Sequence, residues 1–219
     1  MMFFERIHSD PPESPFAPQW DFSLGHRFVR DIDLDVLSKT CLQKEKEIKK
    51  LPLTRQPNGK YTDGYTGLGK NSTTARFSMY NVLEWNTPET NKLKHHIYSG
   101  LVEYNNKFGC SLPSPLWIKC WLNILRWGQK IKPHLHSVSP LCYLSGHFTV
   151  QAQDTSTCYM VPVNQLNDPA IKEKENKPGQ LTLFPSYVPH YTTTHYSFVP
   201  RITFAFDVGI TDDSSILIN

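Results

Sequence analysis

Residues 179–209 read GQLTLFPSYVPHYTTTHYSFVPRITFAFDVG and contain two short apolar segments separated by residues that favour turns. Both segments are rich in aromatic and β-branched residues, which favour strands. Three earlier segments have the same character, so the set comprises 116–127, 141–151, 157–163, 179–186 and 200–209. Short strands at this spacing are typical of an all-β sandwich or jelly roll. The sequence therefore predicts a mainly β core.

Two helices are predicted ahead of these strands. Asp33 can cap the first, whose apolar residues recur at helical spacing as far as Ile48. The second begins at Thr87 and Pro88, with proline at the first helical position, and ends at Gly109. We expect both helices to support the β core.

The domain organisation follows from the chain length of 219 residues, which suits one domain. Within it we predict an N-terminal part over 1–115 and a barrel core over 116–210. We expect an extended lead-in over 1–30. The loop 54–76 is rich in turn signals, and because a long loop in a compact domain is often functional, we interpret it as a candidate lid. We expect it to line the substrate pocket together with 163–178.

The composition excludes several classes of protein. Charged residues make up 20% of the chain and the net charge is +3, so nucleic acid is not indicated as a partner. No run of 18 apolar residues occurs, which argues against a membrane-spanning helix. The first residues lack the apolar core of a signal peptide, so we expect a cytoplasmic protein. The five cysteines form no CxxC pair, so a zinc ribbon is not indicated.

Three histidines form the candidate metal centre. His134 and His136 are separated by one residue, so on an extended strand both imidazoles point to the same face. His190 follows the segment FPSYVP, 54 residues further along (190 − 136). Three ligands from two strands leave coordination positions open for substrate and dioxygen, as non-haem Fe(II) enzymes require.

A carboxylate-binding group is expected beside this centre. Arg201 opens the last predicted strand, and an inward-facing guanidinium would be a buried charge without a partner. A bound carboxylate would remove that cost through a bidentate pair. Thr203 faces the same way as Arg201, and Asn123 is inward by strand parity, so each can donate a further hydrogen bond.

The motifs keep a recognisable order along the chain. They are W-x-N at 121–123, H-x-H at 134–136, S-G at 145–146, P-G-x-L-x-x-F-P-S at 178–186, His190, and R-x-T-x-A-F at 201–206. From about residue 90 to 209 the sequence resembles the 2-oxoglutarate-dependent Fe(II) oxygenases of the type common in phages and marine bacteria. If the source is viral, the expected location becomes the host cytoplasm.

The resemblance implies a fold, two cofactors and an activity. The fold is a double-stranded β-helix, or cupin-like jelly roll, with supporting helices. Fe(II) binds the three histidines, and Arg201 holds 2-oxoglutarate by its distal carboxylate. The enzyme is then a dioxygenase that consumes 2-oxoglutarate and dioxygen and hydroxylates a C–H bond of a substrate that the sequence does not identify. A homodimer is left open.

One departure from the usual pattern keeps alternatives open. His136 stands where most members of this class have a carboxylate, and Asp154 and Asp207 are the nearby acidic residues that could replace it, although neither has compelling spacing. His147 is expected in the core or supporting the ligands. A three-histidine cupin dioxygenase or isomerase would not need 2-oxoglutarate, and a non-enzymatic barrel would retain only a degenerate site.

Overall fold

The computed structural model describes residues 1–17, 19–161, 171–210 and 216–217. Its α-helices are α1 (Leu34–Ile48) and α2 (Pro88–Lys107), and two short 3₁₀ helices span Thr74–Met79 and Val82–Glu84. Its strands are β1 (Phe3–His8), β2 (Asp21–Phe28), β3 (Trp117–Leu125), β4 (Leu144–Gln151), β5 (Ser156–Met160), β6 (Ile171–Glu175), β7 (Gln180–Pro185), β8 (His190–Thr192), β9 (Arg201–Gly209) and β10 (Ile216–Leu217). The mainly β core and both helices are thus confirmed. The 162–163 end of one expected strand and the 163–170 part of the expected pocket lining lie outside the described residues.

Two antiparallel sheets build the core. The larger has the order β1-β2-β7-β4-β9-β3-β10, and the smaller has the order β6-β5-β8. The sheets face each other, because Phe184 on β7 contacts Tyr159 on β5 and His190 on β8, with ring centroids 5.2 and 4.8 Å apart. The space between these sheets holds the candidate site.

The register of the central strands decides which side chains enter that space. Asn123 on β3 lies opposite Thr203 on β9, which in turn lies opposite Thr149 on β4. Because side chains alternate between the two faces of a strand, Arg201 and Asp207 lie on the same face as Thr203. One face of β9 therefore presents polar residues, while its other face carries core residues such as Phe204 and Phe206.

The helices cover the outer, apolar face of the larger sheet. The Asp33 carboxylate accepts a hydrogen bond from the Val36 amide at the start of α1, and Thr87 forms a capping box with Thr90 at the start of α2. Their buried residues belong to the same apolar cluster as those of the sheet; examples are Leu37, Cys41, Leu93, Ile97, Leu101, Leu122, Phe204 and Phe206. This packing makes the sheet a rigid support for the opposite face.

The first thirty residues differ from the extended lead-in that the sequence suggested. They form β1 and β2, which pair with each other, and β2 then pairs with β7. The larger sheet thus continues into residues before 116. The two strands are difficult to predict from the sequence, because the prolines in the segment between them interrupt the strand pattern.

Candidate metal centre and co-substrate pocket

His134, His136 and His190 come together between the sheets. One ligand nitrogen from each imidazole lies within 4.8 Å of the others. His134 and His190 are joined by an isolated antiparallel bridge, and the amide of His136 donates to the Ser186 carbonyl over 3.1 Å. Backbone hydrogen bonds to the β7–β8 region therefore bring the two ends of the H-x-H motif to the distal histidine.

The outward nitrogen of each imidazole has an oxygen partner. His134 Nδ1 lies 2.9 Å from the Lys132 carbonyl, and His190 Nδ1 lies 3.0 Å from the Val188 carbonyl. A carbonyl oxygen can only accept, so both Nδ1 atoms carry the proton and donate it. Each Nε2 then carries a free lone pair, through which a neutral histidine binds a metal.

The partner of His136 is a carboxylate. Its Nδ1 is hydrogen-bonded to Asp207 Oδ1, and the Ser145 hydroxyl donates to the same oxygen over 2.7 Å. The side chain of His136 is buried, whereas that of Asp207 is 41% exposed. Asp154, the other acidic residue considered, lies instead in an exposed turn between β4 and β5.

Burial favours the neutral form of His134 and His190. Desolvation, followed by repulsion from His136, lowers the pKa of His134 to about 4. Desolvation and the neighbouring His134 and His136 hold the pKa of His190 well below its usual value. Metal binding requires deprotonated ligands, so these two neutral imidazoles, with His136 directed at the same point, fit a divalent transition metal. Imidazole suits iron as well as zinc, copper and nickel, so the nitrogen donors alone do not select the metal.

Arg201 lies at the other end of a narrow cavity that begins at the three histidines. It is 2% exposed, and desolvation lowers the pKa of its guanidinium to about 10, so the group is still a cation at neutral pH. Nη1 lies 3.4 Å from Thr203 Oγ1, while Nε has no hydrogen-bond partner among the described residues. Within these residues no carboxylate pairs with Arg201.

Polar side chains line this cavity between the histidines and Arg201. Besides Thr203 they are Thr66, Asn123, His147, Thr157 and Thr192. The Thr74 hydroxyl donates to Asn123 Oδ1 over 2.5 Å, which leaves the amide NH₂ of Asn123 as its donor end. A buried cation with an unpartnered N–H, surrounded by hydroxyl and amide donors, fits the distal carboxylate of a molecule that reaches the metal with its other end.

His147 also faces this cavity. Its Nε2 lies 2.9 Å from the Tyr159 hydroxyl, and Nδ1 has no partner within the described part of the chain. Desolvation, with Arg201 as the next contributor, lowers the pKa of His147 to about 3. A role in supporting the site, as the sequence suggested, agrees with this position, because the ring lies outside the metal-ligating cluster.

A second, larger cavity of about 680 Å³ opens on the outer side of the histidines. Residues of the 54–76 loop form one wall, including Arg55, Tyr65 and Thr66, and Trp121 lies beside His136 with ring centroids 5.6 Å apart. The loop thus lines this cavity, whereas none of residues 171–178, the described part of the other segment expected there, does so. A cavity of this size suits a small organic molecule or one side chain of a larger partner.

Part of the chain is similar in sequence to a known protein family. Residues 119–207 match the model of a family described as "Putative 2OG-Fe(II) oxygenase". No curated protein matches the chain. No helix in the described ranges is long and apolar enough to cross a lipid bilayer.

Three solved structures are similar in fold. A Pseudomonas putida prolyl-4-hydroxylase has a TM-score of 0.55 and 12% identity, over 84% of this chain and 90% of that chain. A Trichoplax adhaerens prolyl hydroxylase, in complex with a hypoxia inducible factor peptide fragment, has a TM-score of 0.52 and 11% identity, over 83% and 81%. The α-ketoglutarate-dependent epimerase SnoN of nogalamycin biosynthesis has a TM-score of 0.52 and 11% identity, over 85% and 76%. At these identities the likeness concerns the fold, which is the double-stranded β-helix.

Proposed function

We propose that this chain, which carries a 2OG-Fe(II) oxygenase domain over residues 119–207, hydroxylates a C–H bond of a substrate bound in the larger cavity. Fe(II) and 2-oxoglutarate are the cofactors of that domain. The observation that carries the proposal is the narrow cavity, which joins the three imidazoles to a buried arginine without a carboxylate partner in the described ranges.

Each residue of the site has a definite task in this proposal. His134, His136 and His190 hold Fe(II) through Nε2, because their Nδ1 atoms are engaged by oxygen acceptors. Arg201 pairs with the distal carboxylate of 2-oxoglutarate, and Thr203 and Asn123 are placed to donate to the same group. The preferred geometry is bidentate, since a guanidinium presents parallel N–H groups to a carboxylate.

The bound cofactors supply the oxidation: one atom of dioxygen enters succinate as 2-oxoglutarate loses carbon dioxide, and the other enters the C–H bond of the substrate. The chain supplies position and shelter. Arg201 fixes one end of the co-substrate, while the apolar rings of Phe184 and Trp121 limit the access of water to the histidines. The larger cavity presents the substrate to the outer side of the same histidines.

An anaerobic titration tests the assignment. Addition of Fe(II) followed by 2-oxoglutarate should produce the weak visible charge-transfer band of the chelate, and addition of air should then release succinate. Arg201→Met should bind Fe(II) yet lose the band at the same 2-oxoglutarate concentration. Iron binding without the band and without succinate in the unaltered chain would contradict the proposal.

Two alternatives predict other results. A three-histidine cupin dioxygenase or isomerase has no use for Arg201, so its activity and cosubstrate dependence would be the same in Arg201→Met. A non-enzymatic barrel with a degenerate site would contain no iron, nickel, cobalt or zinc after purification. The buried guanidinium favours the oxygenase, because an uncompensated charge at this depth costs several kcal/mol, on the order of 3–5, without a ligand.

The remaining parts of the proposal concern the whole chain. We place residues 1–219 in a single oxygenase domain, with the catalytic core over 116–210. A cytoplasmic location, or host cytoplasm for a viral source, is tested by imaging a tagged chain. A homodimer is tested by sedimentation at two concentrations.

A further inference from the structure

We infer that Asp207 is a positioning residue that acts through His136 and gives the metal centre the negative charge that a carboxylate ligand would otherwise provide. The inference rests on the proposed function, since it assumes that the three histidines bind a metal. Its starting point is a difference between the three Nδ1 partners. Two are neutral backbone carbonyls, whereas the partner of His136 is the Asp207 carboxylate.

The charge of the ligand set makes this difference important. Non-haem Fe(II) oxygenases typically bind iron with two histidines and one carboxylate, so the protein contributes one negative charge. Three neutral imidazoles contribute none. The Asp207 carboxylate does not contact the metal position directly, because the imidazole ring of His136 lies between the two. An imidazole that donates to a carboxylate is a stronger ligand than one that donates to a carbonyl.

The strand position of Asp207 and a hydrogen bond from Ser145 both keep the carboxylate beside His136. It lies on the inward face of β9, where it is the cross-strand neighbour of Ser145 on β4. The Ser145 hydroxyl donates to Oδ1 and lies 3.0 Å from the Ser186 hydroxyl. The Ser186 carbonyl in turn accepts the amide of His136. The ligand and its carboxylate are therefore tied to the same short network.

This arrangement also orients the ring. With Nδ1–H directed at Asp207, His136 presents Nε2 to the point shared with His134 and His190. A charge-assisted hydrogen bond holds that orientation more firmly than a neutral one. Loss of the carboxylate would weaken both the orientation and the donor strength of one ligand in three.

Metal affinity tests the inference without relying on turnover. Purified apoprotein is titrated with Co(II) in competition with a chelating dye, and Co(II) absorption reports the ligand field. Asp207→Asn keeps the size and an acceptor oxygen but loses the charge, and Asp207→Ala loses both. We expect the Kd to rise about 10- to 100-fold, most in Asp207→Ala, with a shift in the Co(II) absorption.

Matched variants make the result specific. Asp154→Asn removes a carboxylate from an exposed turn, at a φ of 48° that asparagine tolerates, and should leave the Kd unchanged. Ser145→Ala keeps the carboxylate but removes the hydroxyl that holds it, and should raise the Kd by less than Asp207→Ala. If Asp207→Ala fails to fold, the isosteric Asp207→Asn decides.

A double-mutant cycle distinguishes action through His136 from direct ligation. In the background of His136→Ala, the change Asp207→Asn should have no further effect on the Kd, because its route to the metal is gone. A further loss of tenfold or more would show that Asp207 ligates by itself and would overturn the inference. So would Asp207 variants that bind Co(II) as tightly as Asp154→Asn. If the unaltered chain binds no metal at all, the proposed function itself fails.

Discussion

His134 and His190 lie 56 residues apart in the chain (190 − 134), and their backbones exchange two hydrogen bonds. The amide of His134 donates to the His190 carbonyl over 3.0 Å, and the amide of His190 donates to the His134 carbonyl over 2.9 Å. The two imidazole centroids are 4.5 Å apart as a result. Because backbone atoms form this bridge, it does not depend on either imidazole, so ligand removal and loss of fold can be separated.

The first prediction concerns His134→Ala. At a concentration one hundred times its Kd, a metal stabilises the protein that binds it by about 2.7 kcal/mol. For a chain of this size that corresponds to a rise in Tm of about 5–10 °C. We expect Co(II) to produce this rise in the unaltered chain and none in His134→Ala, as measured by thermal unfolding with and without metal.

The control for this experiment is His95→Ala. His95 is exposed on α2, outside the cluster of ligand nitrogens, so this variant should retain the full rise in Tm. A rise of the same size in His134→Ala would contradict the ligand assignment.

The second prediction is that Arg201→Met has opposite effects on two measured quantities. Without 2-oxoglutarate the variant should unfold at a higher urea concentration, because a buried charge without a partner has been removed, a gain of about 1 kcal/mol or more. Its affinity for 2-oxoglutarate should fall by at least about thirtyfold, since truncating one member of a buried charge pair costs 2 kcal/mol or more. Urea unfolding and isothermal titration measure the two effects.

Arg126→Met is the contrasting variant. Arg126 pairs with the buried Glu45 over 2.6 Å, so its removal should lower stability. It lines neither cavity, and the affinity for 2-oxoglutarate should be unchanged. Equal affinity in Arg201→Met and the unaltered chain would exclude Arg201 as the carboxylate-binding residue.

Much of the site could be predicted because strands have a two-residue period. Arg201 and Thr203 were expected to share a face, and the cross-strand pairing of Thr203 with Asn123 agrees with the predicted inward face. His134 and His136 were expected on a strand as well, but the structure forms only an isolated bridge at His134 and a bend at His136. The same period could also have indicated Asp207, which has the parity of Arg201. What the sequence could not provide was the register of β9 against β4, which brings Asp207 to Ser145 and His136.

Other features depend on contacts that no local pattern encodes. The strands β1 and β2 could not be predicted from their own residues, because β2 is held in the sheet by pairing with β7, which is distant in the chain. The strand β6, with sequence IKEKE, is charged, and its Lys172 and Lys174 pair with Glu5 on β1. The strand β8 has three residues, too few for a period to appear. Thr74 belongs to the predicted loop, and its hydrogen bond to Asn123 joins residues 49 positions apart, which no local pattern indicates.

The third prediction concerns the dependence of stability on pH. His26 on β2 is mostly buried, and desolvation, with Lys174 as the next contributor, lowers its pKa to about 4. Below pH 6.5 the unfolded chain binds a proton at this histidine, whereas the folded chain does not, so the stability associated with the neutral ring is fully present only above pH 6.5. As the pH falls from 6.5 towards 4, the free energy of unfolding decreases by at most about 1.4 kcal/mol per pH unit. His147 acts in the same direction.

Urea unfolding of the metal-free protein at pH 7, 6 and 5 measures this slope. His26→Gln should reduce this slope by the equivalent of up to one bound proton, which is about 1.4 kcal/mol per pH unit. Thr182→Ser keeps the hydroxyl that lies 3.1 Å from His26 Nδ1, and should retain the slope of the unaltered chain. A slope that is the same in His26→Gln would show that the ring is as accessible to water in the folded state as in the unfolded state.

The fourth prediction concerns the loop over 54–76, whose two ends are joined by hydrogen bonds from Arg76. The guanidinium is 9% exposed and donates to the carbonyls of Leu51, Lys70 and Ser72 over 3.1, 2.5 and 2.9 Å. It therefore ties the beginning of the loop to its end, beside the larger cavity. Arg76→Met leaves three carbonyls without their donor, which should cost at least about 2 kcal/mol of unfolding free energy and release the loop.

Limited digestion with thermolysin measures the release, since that protease cuts beside apolar residues. Cleavage beside the methionine introduced at position 76 or 55 is left out of the count, so the sites compared are the same in all chains. Cleavage within 54–76 should be several-fold faster in Arg76→Met than in the unaltered chain. Arg55→Met removes an exposed guanidinium that donates to Gly59 over 2.8 Å, and should change stability by no more than about 0.5 kcal/mol. If Arg76→Met is cleaved no faster than Arg55→Met, other contacts hold the loop, and a lid over the cavity would have to open at another point.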